Sequence, residues 1–402
     1  MMYPARPGNY RVAMTDSAPA RFPRATTILV ALAAATVVAI GMSAIKGILA
    51  PTLLTLILVI CANPVRTGLL RRGVPPGIAT GSVILVVFGL LAAFTYTIII
   101  AFAQFVEMLP TYSDELSQVG ANLGDRLKSL GFGADQVQSV VAGVDPSNIA
   151  GVVTDAIGSV AGITAALVIV LTMMILMAAD AVYSRTILGQ LREHNPHLVV
   201  AIGEYASNVR RYMVVTTVLG VAQGALNAIA LSLLQVPSAL LWGLLAFLCS
   251  FIPNIGYFFA IIPPLFFGFL VGGWPTVIAV LIIYSIINAV VQSIIQPRVV
   301  GQAVSLSQTI TFFSVLFWAL VIGPIGAILA VPLTLMAKTF LVDADPDSHW
   351  WRPALGPTGE TRDIARASEE EAKRDRQGHR AERPPKGAKT RRRDDPDITP
   401  AG

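Results

Sequence analysis

LLWGLLAFLCSFIPNIGYFFAIIPPLFFGFLV, residues 240–271, is the stretch that decides the fold. It contains no Asp, Glu, Lys or Arg. A helix crosses a bilayer with about 20 apolar residues at 1.5 Å rise each, so this run is too long for one straight span. Pro253-Asn254-Ile255-Gly256 sits in its middle. Proline removes a backbone donor and glycine relaxes φ, so the run reads as two helical pieces around a break. Inside hydrocarbon such a break is tolerated only where protein or water satisfies the freed backbone groups. The expected fold is all-α: a polytopic transmembrane helical protein with broken or re-entrant helices and a small extracytoplasmic helical segment.

The flanking sequence repeats the theme. Upstream, Thr27 to Ile45 and Ile48 to Ala62 read as a hairpin around Lys46, Ile78 to Val106 as a long crossing, Ile157 to Ala179 as a return, and Tyr212 to Leu234 as a full span. Downstream, Val277 to Ile295 is a clean span. Thr309 to Lys338 is again long and is interrupted at Gly323-Pro324-Ile325-Gly326. In composition the chain is 54% hydrophobic and 13% charged, against roughly 25% charged residues in a soluble domain.

Lys and Arg in short loops mark the cytoplasmic side of a membrane protein. Arg6, Arg11, Arg21 and Arg24 precede the first helix, Arg66, Arg71 and Arg72 follow the second, and Arg185, Arg192, Arg210 and Arg211 fall in a loop between Ala179 and Tyr212. The segment from Glu107 to Asp155 has seven acidic residues against Arg126 and Lys128 and reads as external. Both termini are then cytoplasmic, with the final apolar stretch entering and leaving on one side, in a bacterial cell membrane. The divisions are a cytoplasmic arm 1–26, N-terminal membrane helices 27–106, an extracytoplasmic helical segment 107–156, the main membrane region 157–342, and a tail 343–402 too polar to bury a core. In the external segment Leu109, Tyr112, Leu116, Val119, Leu123, Leu127 and Leu130 recur at helical spacing until Gly131. This stripe covers the outer face or meets a second copy. Gly158 with Gly162 and Gly268 with Gly272 are close-packing pairs. A homo-oligomer and contact with membrane lipid are expected.

Several chemistries find no support. Cys61 and Cys249 lie in apolar runs and read as buried thiols. His194 and His197 lack partner ligands, so no metal site is expected, and no catalytic constellation, phosphate loop or cofactor motif appears. The net charge of +5 is not a nucleic-acid footprint. Polar residues inside apolar helices are the better clue, because they face an interior or a water-filled cavity. Ser285, Asn288, Gln292 and Gln296 share one helical face, and Thr216, Gly220, Gln223 and Asn227 share another. They line a solute path, or they are interhelical glue with Gly220 and Gly224 as a close-packing pair. At the Pro253 to Gly256 break, Ser250, Asn254 and Tyr257 supplement the freed backbone groups. Gly323, Pro324 and Gly326 form a second hinge.

The motifs Asn63-Pro64, Arg71-Arg72-Gly73-Val74-Pro75, Leu240-Leu241-Trp242-Gly243, Phe251-Ile252-Pro253-Asn254-Ile255-Gly256, Pro263-Pro264, Gln296-Pro297-Arg298-Val299-Val300-Gly301 and Ala330-Val331-Pro332-Leu333 occur in this order. From about Lys46 to Val342 the chain resembles the autoinducer-2 exporter family of bacterial membrane proteins. The resemblance implies an oligomeric permease exporting a small polar signalling molecule, or exchanging sodium for protons. Members of the family often carry a glutamate about six residues before the proline that is Pro297 here. This chain has Val291, with Gln292 the nearest polar side chain, which speaks against proton coupling through this helix. The expected function is export of a small hydrophilic solute; the alternatives are a sodium/proton antiporter and a non-transporting scaffold.

Overall fold

A computed structural model describes residues 24–133, 160–181, 183–296 and 306–344, with a few isolated positions besides. The arm before Arg24, Gly158, the Pro297 to Gly301 motif and most of the tail lie outside the described residues. Among the described residues all regular structure is helical. Helices α1 (Arg24–Ala44), α2 (Lys46–Arg71) and α3 (Pro76–Met108) are followed by a 3-10 turn, Leu109–Tyr112, and α4 (Ser113–Ser129). Then come α5 (Val160–Asp180), α6 (Ser184–His194), α7 (Pro196–Leu233), α8 (Ala239–Cys249) and α9 (Gly256–Asn288), which ends in a π-helical turn, Ala289–Ile295. The last group is α10 (Gln308–Ile322), α11 (Pro324–Ile328) and α12 (Ala330–Lys338), with a π-helical end, Thr339–Asp343. Four of these, α2, α3, α7 and α9, are long and apolar enough to cross a membrane. Large apolar side chains on their outer faces stand open, as Leu85 at 72% and Leu90 at 67% on α3 do. This is the surface a hydrocarbon solvent selects. The molecule is a polytopic helical membrane protein.

Two cores organise it. In the first, the α10–α12 hairpin packs against α2 and the early part of α7, burying Ile57, Val209, Tyr212, Val331 and Leu333. In the second, α8 and the two halves of α9 enclose the ends of α3 and α7. Phe105 meets Trp242 at 5.3 Å and Phe267 at 5.1 Å, both edge-on. The tightest seam is between α7 and α8. A Cβ on Gly224 would come within 2.6 Å of the Gly243 carbonyl, and one on Gly220 would strike the Ser250 hydroxyl. Gly220 and Gly224 are therefore a close-packing pair.

Three details differ from the sequence reading. The segment between Ala179 and Tyr212 is not a loop: it holds α6 and the first turns of α7, interrupted only at Asn195. There the Asn195 side chain accepts from the Leu198 amide at 3.0 Å and Pro196 opens α7, so Asn-Pro is a helix start, not a loop centre. The first two helices do not fold back as a hairpin. Ile45 alone separates them, and α1 packs mainly on α10. Val277 to Ile295 is a separate helical piece, as expected: within α9 the backbone leaves the helix at Gly273 (φ 61°, ψ −154°), and the second half returns beside the first and closes in the π turn. Finally, Gly268 and Gly272 face Thr276 of the same chain across that kink, so their closeness serves an internal contact. A Cβ placed on Gly162 would meet nothing within 4 Å. The predicted stop at Gly131 is present, with φ 86° one residue past Leu130, and the preceding helix covers Ser113–Ser129.

Candidate functional site

The break in residues 240–271 is a short non-helical turn. α8 ends at Cys249, α9 starts at Gly256, and Asn254 between them adopts φ 65°, which asparagine tolerates better than most residues. Gly256 permits the turn to close, because a Cβ there would collide with the Cys249 carbonyl. Ser250 donates to the Phe247 carbonyl at 2.6 Å, satisfying itself locally.

Across from this turn stand the two polar stripes. On α7, Thr216, Gln223 and Asn227 are 2%, 4% and 1% exposed. On α9 and its π turn, Asn288, Gln292 and Gln296 continue the second stripe. Gln223 Nε2 donates to Asn288 Oδ1 at 3.4 Å, so the stripes touch. Tyr257 at the start of α9 and Ser285 near its end share a hydrogen bond of 2.8 Å, which clips the halves of α9 together.

Between the broken turn and the second stripe lies a cavity of about 460 Å³, within the range of small-molecule sites. Ser250, Pro253, Asn254, Tyr257, Asn288, Gln292 and Gln296 line it, joined by Phe258 and Gln308. None of these side chains is charged. The cavity shares Ser250, Gln292 and Gln296 with a closed seam that Thr216, Leu219, Gly220, Gln223 and Val291 complete. Behind the seam Gln223 Oε1 and Asn227 Oδ1 are buried without a protein partner. A second cleft, about 290 Å³ between α3, α7 and α8, is walled by Phe94, Val221, Leu240, Leu244 and Phe247 with glycine and alanine, and is apolar.

The structure thus gathers six of the eight proposed path residues around one cavity, with Gln223 at its closed edge and Asn227 deeper on α7. Pro253 and Gly256 belong to the same site. Gly323, Pro324 and Gly326 do not; they turn the chain from α10 into α11 at the edge of the first core, with Gly326 buried and Pro324 exposed. Sequence reasoning missed Gln308, the first residue of α10 after the Ser307 cap. A polar residue at the head of an apolar run was the available signal. Val291 is 5% exposed on the wall of the seam.

The family model for AI-2E family transporters matches residues 27–344. The chain belongs to the AI-2E transporter family. Among family relatives, the putative transport protein YhhT of Escherichia coli K12 is 28% identical over 317 residues, covering 78% of this chain and 90% of its own. A putative transport protein of Haemophilus influenzae is 29% identical over 335 residues, 82% of this chain and 95% of its own. The AI-2 transport protein TqsA of Escherichia coli K12 is 26% identical over 317 residues, 78% and 91% respectively.

Proposed function

We propose that this AI-2E family transporter exports a small, uncharged, hydrophilic solute through the cavity at the Pro253 to Gly256 break. The observation that carries this reading is the cavity's wall: amides and hydroxyls from two helices, without a charge, beside a break in a membrane helix. Transporter folds commonly place substrates beside discontinuous helices near the midplane. A solute leaving water for such a site exchanges its hydration for Asn254, Asn288, Gln292 and the Tyr257 hydroxyl. The closed seam between Gln223 and Gln292 is then one end of the path, and passage requires the Gln223–Asn288 contact to part. An antiporter mechanism needs a carboxylate in the path, and this wall supplies none.

A relative named as an AI-2 transport protein makes that signal a first solute to test. Purified protein in proteoliposomes should move AI-2 or another small polyhydroxylated metabolite down an imposed gradient. No flux of any neutral hydrophilic solute, with intact reconstituted protein, would overturn the proposal in favour of a scaffold. We further place both termini in the cytoplasm and expect a homo-oligomer. An impermeant thiol reagent on intact cells should label a cysteine at Ser117 and spare one at Ser368, and the active particle should have a multimeric mass in mild detergent.

A further inference from the structure

Helix α6 presents an apolar stripe that the protein leaves largely uncovered, with Leu191 at its end half-buried. Tyr183, Ile187 and Leu191 recur at steps of four, and Leu188 widens the stripe. Tyr183 is 65% and Ile187 56% exposed. Glu193 falls about 120° round the helix from Ile187 by spacing. The stripe is tethered to a membrane helix, since only residues 181–183 separate the end of apolar α5 from the start of α6. An exposed stripe held that close to hydrocarbon belongs at the bilayer boundary.

The charge around it selects the lipid. A small cleft walled by Asn63, Arg66, Thr80, Met174, Ala178 and Ala181 brings the end of α2, the start of α3 and the end of α5 to one end of the molecule. Arg71 and Arg72 at the end of α2 are exposed at that end, as is Arg192 on α6 itself. The other amphipathic helix, α4, opens with Asp114 and Glu115 and has basic residues, Arg126 and Lys128, in its last turn.

We propose that α6 lies in the membrane surface as an interfacial helix. Its Tyr183–Ile187–Leu191 stripe enters the acyl boundary, and Arg71, Arg72 and Arg192 gather the headgroups of anionic phospholipids. A basic surface next to an anionic leaflet is attracted by about fivefold per arginine, so three arginines give a preference that is easily measured. The inference is independent of which solute the protein moves.

The test uses the full-length protein in nanodiscs of phosphatidylcholine with or without phosphatidylglycerol. An environment-sensitive fluorophore is placed by Ile187→Cys, and separately by Glu193→Cys, with Cys61 and Cys249 replaced by serine. The probe at 187 should be blue-shifted and quenched by lipids spin-labelled near the headgroup, while that at 193 should be quenched by aqueous iodide. Equal iodide quenching at both positions would overturn the proposal. So would a probe at 187 shielded from both quenchers in a multimeric particle, since a second copy would then cover the stripe. The second arm measures which lipid copurifies from an equimolar mixture. Wild type should retain phosphatidylglycerol over phosphatidylcholine, and Arg71→Gln/Arg72→Gln/Arg192→Gln should lose on the order of a hundredfold of that preference while keeping its elution profile. An unchanged preference in the triple variant would overturn the assignment of these arginines.

Discussion

The chain contains two breaks with similar punctuation and opposite surroundings. Pro253-Asn254-Ile255-Gly256 and Gly323-Pro324-Ile325-Gly326 both combine proline, glycine and isoleucine in an apolar run. Both rely on a glycine pressed against a carbonyl of the preceding helix: Gly256 against Cys249, and Gly326 against Trp318. At the second break the polar groups nearby are spent on the protein. Ser314 bonds to the Ala330 carbonyl at 3.0 Å and to Thr334, and the Trp318 indole donates to Thr334 at 3.0 Å. Val321, Ile322, Ala327 and Leu329 fill the remaining space. At the first break, Asn254, Gln292 and Gln296 face an open volume instead. A broken membrane helix is therefore not itself a site. What separates hinge from site is whether the surrounding polar atoms are already partnered.

The comparison can be broken at its common part first. Gly256→Ala and Gly326→Ala should be the most damaging substitutions, each costing about 3 kcal/mol because backbone must move to admit the methyl. Both variants should show a sharply lower melting temperature and yield of monodisperse protein. If Gly326→Ala melted like wild type, the two turns would not share a construction.

The next test separates the breaks by function. Asn254→Ala and Gln292→Leu should each lower solute flux per folded molecule by roughly tenfold, about 1.4 kcal/mol of lost contact, with little change in melting temperature. Unchanged flux in both, measured in proteoliposomes, would return these side chains to the role of glue.

A smaller and purely structural effect belongs to Gly323, whose φ of 88° and ψ of −157° lie in a region that side chains avoid. Gly323→Ala should cost about 1–3 kcal/mol in thermal unfolding despite the open space around it. Smallest of all, Thr334→Val removes two hydrogen bonds of a kind that average about 0.6 kcal/mol in membranes. It should lower the melting temperature slightly and leave normalised flux unchanged. A flux defect from Thr334→Val would show the second hairpin to be part of the path.

Much of this was legible beforehand, for identifiable reasons. The break at Pro253 announced itself because proline and glycine act through the backbone, whatever surrounds them. The stripes through Gln223 and Asn288 were visible because a helix has a fixed period, and the structure brings these two side chains into contact. Gln308 was invisible as a wall residue because its place depends on how α10 docks, which no local pattern encodes. The helical nature of residues 184–211 was obscured by charge: Arg, Glu and His made α6 and the first turns of α7 look like a loop. The connection at Gly273 was legible because glycine followed by Trp-Pro marks a turn between two spans, and the backbone leaves the helix there. Thr276 packs against Gly272 there.

Helix α7 has 38 residues and so runs about 57 Å, nearly twice the hydrocarbon thickness of about 30 Å. Tyr205, Val209 and Tyr212 anchor it in one core and Leu231 in the other. It acts as an axle: a single stiff rod seated in both cores fixes the distance between them and lets neither slide along it alone. Any opening of the seam beside Gln223 must then come from the short pieces that lean on the rod, hinged at Asn254 and Gly273, and not from separating the two halves of the molecule.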